Sequence, residues 1–180
     1  MRLGELLAVN SFPAVIAGSD IAVYRKDPTS PATLDFVSGY LGFDARSHHA
    51  LHSTLASLAR PSSGGAFWFN GVFGSGKSHL LGLLSLLADG IGHEAFAASH
   101  PDCAQYLPSF QPRFCLHISL DEFDAAKLGL EEIFWLQMQR SWADRGLGEL
   151  EVERIGSRVE AFSSLQNLLE QKGLTGLIVC

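Results

Sequence analysis

Eight residues constrain this chain more than any others. Gly71-Val72-Phe73-Gly74-Ser75-Gly76-Lys77-Ser78 fits the pattern G-x-x-x-x-G-K-[ST] at every fixed position. A phosphate chain needs many donors converging on a small volume. Gly71, Gly74 and Gly76 let the backbone take turns that a Cβ would block. The amides of Gly74, Ser75, Gly76, Lys77 and Ser78 are then expected to point inward as an anion nest. The helix expected to follow adds its positive N-terminal end. Lys77 is the candidate catalytic residue, reaching the β- and γ-phosphates of a nucleotide. The Ser78 hydroxyl is expected to complete a Mg²⁺ shell with phosphate oxygens and water. The bland alternative is a glycine-rich turn between a strand and a helix.

The surroundings suit the first reading. Residues 66–70, Ala-Phe-Trp-Phe-Asn, read as a buried strand leading into the loop, and residues 77–89 as a leucine-rich helix stopped by Gly90. Residues 114–120 read as a second strand and 174–180 as a third. Helices are expected between them over 128–145 and 151–171, from apolar positions such as Ile133, Trp135, Leu136, Ile155, Val159, Phe162, Leu165 and Leu168. Strands alternating with helices predict an α/β domain. Specifically, the expectation is a P-loop NTPase-type three-layer sandwich with a mainly parallel sheet, incomplete at its third strand.

Ahead of it, residues 1–62 read as a small strand and helix region, with the nucleotide-binding core over 63–180. Residues 14–17 and 21–24 suggest two short strands around Gly18-Ser19-Asp20. Two prolines make 27–31 a loop. Helices are expected over 33–40 and 45–59. Pro61-Ser62-Ser63-Gly64-Gly65 is a break.

Composition limits the class. The 180 residues are 47% hydrophobic and 18% charged, enough apolar surface for a packed core. The net charge of -6 gives no bulk electrostatic reason to bind nucleic acid. No basic start followed by an apolar run marks a secretion signal, and no stretch has the length of a membrane helix. Cys103, Cys115 and Cys180 have no metal-type spacing and read as reduced, structural thiols of a cytoplasmic protein.

Several weaker signals carry two readings. A strand ending in Asp-Glu would supply the acid that holds the magnesium water shell. Asp121-Glu122, after Leu116-His117-Ile118-Ser119-Leu120, has that local form. The apolar strand ending Leu177-Ile178-Val179-Cys180 competes for the role. By analogy with ATPases whose acid follows the third strand, that acid is expected beyond Cys180, and this second place is favoured. Asp121 and Glu122 then form a polar strand end. His48 and His52 stand one helical turn apart, a metal-ligand spacing, with only Asp44 as an acidic neighbour; a solvated helix face is the preferred reading. His79 is placed to sense nucleotide, or it is a surface histidine. Trp68, Trp135 and Trp142 read as core packing.

The segment Phe69-Asn70-Gly71-Val72-Phe73-Gly74-Ser75-Gly76-Lys77-Ser78-His79-Leu80-Leu81 resembles the phosphate-binding loop of large bacterial anti-phage ATPases, the BREX (bacteriophage exclusion) P-loop proteins. Lys-Ser-His-Leu is its distinctive ending. The resemblance covers residues 30–90 and extends beyond them only in topology. It implies an AAA- or STAND-like ATPase using ATP and Mg²⁺, of which this chain is the N-terminal part. It also implies oligomerisation and DNA or other defence proteins as partners, through parts outside this chain. ATP over GTP rests on it. Two other functions stand beside an ATPase: a nucleotide-dependent switch or scaffold with little turnover, and a small-molecule P-loop kinase, for which Arg140 and Arg145 are the only lid-like arginines.

Overall fold

The computed structural model describes residues 18–42, 44–60, 65–124, 126–152 and 157–180. The chain forms two compact units, Met1–Phe110 and Gln111–Cys180.

The described part of the first unit is helical. It runs α1 (Gly18–Lys26), α2 (Pro31–Ser38), α3 (Ala45–Leu58), α4 (Lys77–Ala88) and α5 (His93–Ser99), then a 3₁₀ turn, Ala104–Ser109. Local chemistry sets the helix starts. Ser30 Oγ accepts the Thr33 amide at 3.2 Å, and Pro31 fills the first helical position, where its missing N–H costs nothing. Asp44 Oδ1 accepts the Ser47 amide at 2.7 Å and so starts α3. Asp44, the acid nearest the histidine pair in sequence, is thus engaged as a helix cap.

α4 is the centre of this unit. Its residues from Gly82 to Ala88 are all buried, as expected of a helix apolar all round. Ile21, Phe36, Val37, Tyr40, Leu51, Leu55 and Phe96 complete the core around Leu83, Leu84, Leu86 and Leu87. Gly82 makes the close packing possible. A Cβ there would stand 2.5 Å from Ile21 Cδ1 and 3.0 Å from Phe36 Cζ. Arg25 ties α1 to the end of α4 by donating from Nε to Asp89 Oδ2 at 2.6 Å, and it also bonds Ser85 Oγ.

The second unit holds a two-stranded parallel sheet. β1 (Phe114–Leu116) pairs with β2 (Leu177–Val179), in the register Phe114 with Leu177 and Leu116 with Val179. A parallel pair needs a long crossover. Here it contains α6 (Leu130–Asp144) and α7 (Arg158–Gln171). Their inner faces bury Trp135, Met138, Trp142, Leu165 and Leu169 with Phe114 and Leu116.

These observations correct the expected architecture. The described residues are mostly helical, and their sheet has two strands, so the three-layer sandwich is overturned. A strand exists only where a neighbour supplies partners for its N–H and C=O groups. Residues 66–70 are irregular; Phe69 leans on the core of the first unit, whereas Trp68 is 92% exposed. Trp68 is therefore not the core residue expected of it, while Trp135 and Trp142 are. Residues 21–24 belong to α1, not to a strand. Ile21 and Tyr24 face inward three positions apart, and Tyr24 stacks on Phe36 with ring centroids 4.6 Å apart. This packing overrides the strand preference of Ile-Ala-Val-Tyr. Residues 14–17 lie outside the described residues. β1 is Phe114–Leu116; the Ile118 amide still donates to the Cys180 carbonyl at 2.7 Å, and pairing stops where Ser119 and Leu120 are exposed and the chain turns into the 3₁₀ segment Leu120–Glu122. On α6 and α7 the apolar positions Leu136, Val159 and Phe162 are exposed, though the Phe162 ring still meets Phe134 and Trp135. Within the first unit, α4 shares one core with α1, α2 and α3.

Candidate phosphate-binding site

The loop of residues 71–76 runs directly into α4. Gly74 has φ 78° and Gly76 φ 82°, while Ser75 between them keeps negative φ. Left-handed glycines give the loop the tight turns that an anion nest requires, although the Ser75 amide itself donates to the Val72 carbonyl at 3.3 Å. An L-residue at either glycine is strained. Gly71 is constrained differently: a Cβ there would stand 2.9 Å from Ser75 Oγ.

Lys77 is the first residue of α4, and its side chain folds back over the loop. Nζ donates to the carbonyl oxygens of Gly71 at 2.8 Å and Val72 at 2.9 Å, and to Ser75 Oγ at 3.3 Å. The ammonium is therefore held at the loop by groups that set its position. Ser78 is the next residue of α4, and it is exposed. Gly76, at the N-cap, has no side chain to cap the helix. The loop's own apolar side chains point outward; Phe73 is 90% exposed.

His79 is not the surface residue that its position in the motif suggests. Its Nε2 lies 2.7 Å from the Phe36 carbonyl oxygen, and its ring packs on Phe36 and edge-on to Tyr40. Burial lowers its pKa from the ordinary value, the bond to Phe36 works the other way, and nearby His100 lowers it further. The ring thus anchors the start of α4 to α2.

The other candidate residues have local engagements. Asp121 is exposed and accepts a hydrogen bond from the Ser119 hydroxyl, and Glu122 is exposed beside it. Arg145 lies over the Phe114 ring at 4.3 Å and donates to the Cys115 carbonyl at 2.9 Å, so it braces β1. Arg140 is exposed on α6. Cys103 and Cys115 are buried thiols. Cys115 Sγ and Cys180 Sγ stand 3.9 Å apart, with a ring nitrogen of His117 within 4.8 Å of both.

The structure also joins residues that lie far apart in sequence. His48 and His52 both meet Asp102, which comes from the segment after α5. Spacing alone exposes the histidine pair; nothing in the sequence marks Asp102 as its partner.

Comparison with protein-family models, with curated proteins and with solved structures finds no match for this chain. No described helix is long and apolar enough to cross a membrane.

Proposed function

We propose that residues 71–78 bind the phosphate chain of Mg·ATP, and that the chain is the nucleotide-binding part of a bacterial ATPase of the phage-defence type. The observation that carries the reading is the Lys77 ammonium, held against the Gly71 and Val72 carbonyls of a loop that has two left-handed glycines. In the free protein those carbonyls keep the cation in place. Bound β- and γ-phosphate oxygens then accept the same N–H groups in charge-assisted bonds, and the loop amides and the α4 terminus stabilise the remaining charge. Ser78, exposed one residue further along α4, supplies a hydroxyl to the magnesium.

The choice of ATP, the AAA- or STAND-like setting and DNA or defence proteins as partners rest on the resemblance of residues 69–81, and the cytoplasmic location on the three cysteines read as reduced thiols. For this chain the reading is binding with little turnover, as a switch or scaffold. The engagement of Asp121 with Ser119 favours it, because that carboxylate already serves its own turn. The kinase reading loses one of its two arginines, since Arg145 braces β1.

Titration of the protein with ATP, with and without Mg²⁺, tests the assignment. Removing the ammonium in Lys77→Ala deletes at least two charge-assisted bonds, an expected loss of about 100-fold or more in affinity. Equal affinity in the variant contradicts the proposal.

A further inference from the structure

On α3, His48 and His52 lie at i and i+4, with ring centroids 4.4 Å apart. Both direct Nε2 at the same atom, Asp102 Oδ2, at 2.7 and 2.9 Å. The two nitrogens and a carboxylate oxygen all lie within 4.8 Å of one another. Three donors of this type, from two segments far apart in sequence, match the ligand chemistry of borderline divalent metals.

A second contact points the same way. His52 Nδ1 lies 3.2 Å from the Tyr106 hydroxyl, with the two rings edge to face. In the metal-free protein Nε2–H donates to the Asp102 carboxylate and Nδ1 accepts from the Tyr106 hydroxyl; with a metal on Nε2 the ring takes the other tautomer and Nδ1–H donates to Tyr106. Metal-bound histidines are oriented in this manner by the group behind them.

We propose that His48, His52 and Asp102 form a binding site for one divalent transition-metal ion of the zinc class, with a fourth position open to water or an incoming ligand. The required adjustment is small. Ligand bonds of about 2.0–2.1 Å in a tetrahedral site put neighbouring donors about 3.3 Å apart. The present separations must therefore widen by roughly half an ångström. His48 and Asp102 are about half exposed, so their side chains are free to rotate by that amount. Cys103 Sγ is 3.3 Å from His52 Nε2 but is not one of the three donors that all lie within 4.8 Å of one another, so it is not counted as a ligand. Bound metal links α3 to the segment carrying Asp102 and Tyr106.

The test uses the full chain, stripped with a chelator and titrated with Zn²⁺ by calorimetry, with Co²⁺ absorption as a second readout. The wild type takes up one equivalent with a thermal shift that chelator reverses, and cobalt gives an N/O-type spectrum without sulfur-to-metal charge transfer. His48→Ala/His52→Ala loses that equivalent. Cys115→Ser/Cys180→Ser keeps it, which separates this site from the cysteines of the second unit. Asp102→Asn, which preserves size, weakens binding without loss of helical circular dichroism. Tyr106→Phe weakens it about 10- to 100-fold. Absence of saturable zinc binding by the wild type, or equal binding by the double histidine variant, reduces the cluster to a hydrogen-bonded surface network and overturns the proposal.

Discussion

His79 Nε2 lies 2.7 Å from the carbonyl oxygen of Phe36. That contact fixes the first turn of α4, which carries Lys77 and Ser78, to α2. Truncation removes the bond and the ring packing on Phe36 and Tyr40. We expect His79→Ala to lower the unfolding free energy by about 1–3 kcal/mol. Urea denaturation of both proteins checks this.

The same residue sets a pH dependence. Its folded pKa lies below the ordinary 6.5, chiefly because burial disfavours the charged ring. The unfolded chain then binds the proton more readily than the folded one. The stability conferred by the neutral ring is complete above 6.5 and is lost as pH falls through the lowered folded value. Unfolding free energies measured from about pH 7.5 to 5 should therefore decline more steeply for the wild type than for His79→Gln. Parallel curves would show that His79 does not titrate across folding.

Arg25 and Asp89 form a mostly buried ion pair, reinforced by Ser85. Removing Arg25 takes away the cation that faces the Asp89 carboxylate and a bond to Ser85. Because Arg25 keeps some solvent contact, the expected cost of Arg25→Ala is about 1–3 kcal/mol, below that of a fully buried pair. Thermal unfolding measures it, and a loss within a few tenths would place the pair among surface interactions.

Asp121 is exposed and serves the turn after β1. Asp121→Asn is expected to leave the magnesium dependence of ATP binding almost unchanged. A large rise in the magnesium needed for binding would assign Asp121 to the metal after all.

Backbone constraints were the most legible part of the sequence. The glycines of residues 71–76 announce left-handed positions, and Gly74 and Gly76 adopt them. Asp89-Gly90 announces the end of α4, and Gly90 has φ 80°. Short apolar runs were misleading. Ile21-Ala22-Val23-Tyr24 suits a strand or one face of a helix, and the neighbouring Phe36 decides for the helix. Phe67-Trp68-Phe69 looks like a buried strand, but a strand also needs partners, and those are not encoded locally. The sheet expected around it accordingly shrank to β1 and β2. Asp102 illustrates the remaining limit. Only the folding of the chain back over α3 brings it to His48 and His52, 54 and 50 residues away.

The central claim is that the cradle of residues 71–78 holds a nucleotide through Lys77. The most direct measurement is a calorimetric titration of Mg·ATP into the wild type and Lys77→Ala, with matched circular dichroism spectra. Saturable binding by the wild type that falls about 100-fold or more in the variant is the predicted result. No binding by the wild type, or the same affinity in both proteins, contradicts it.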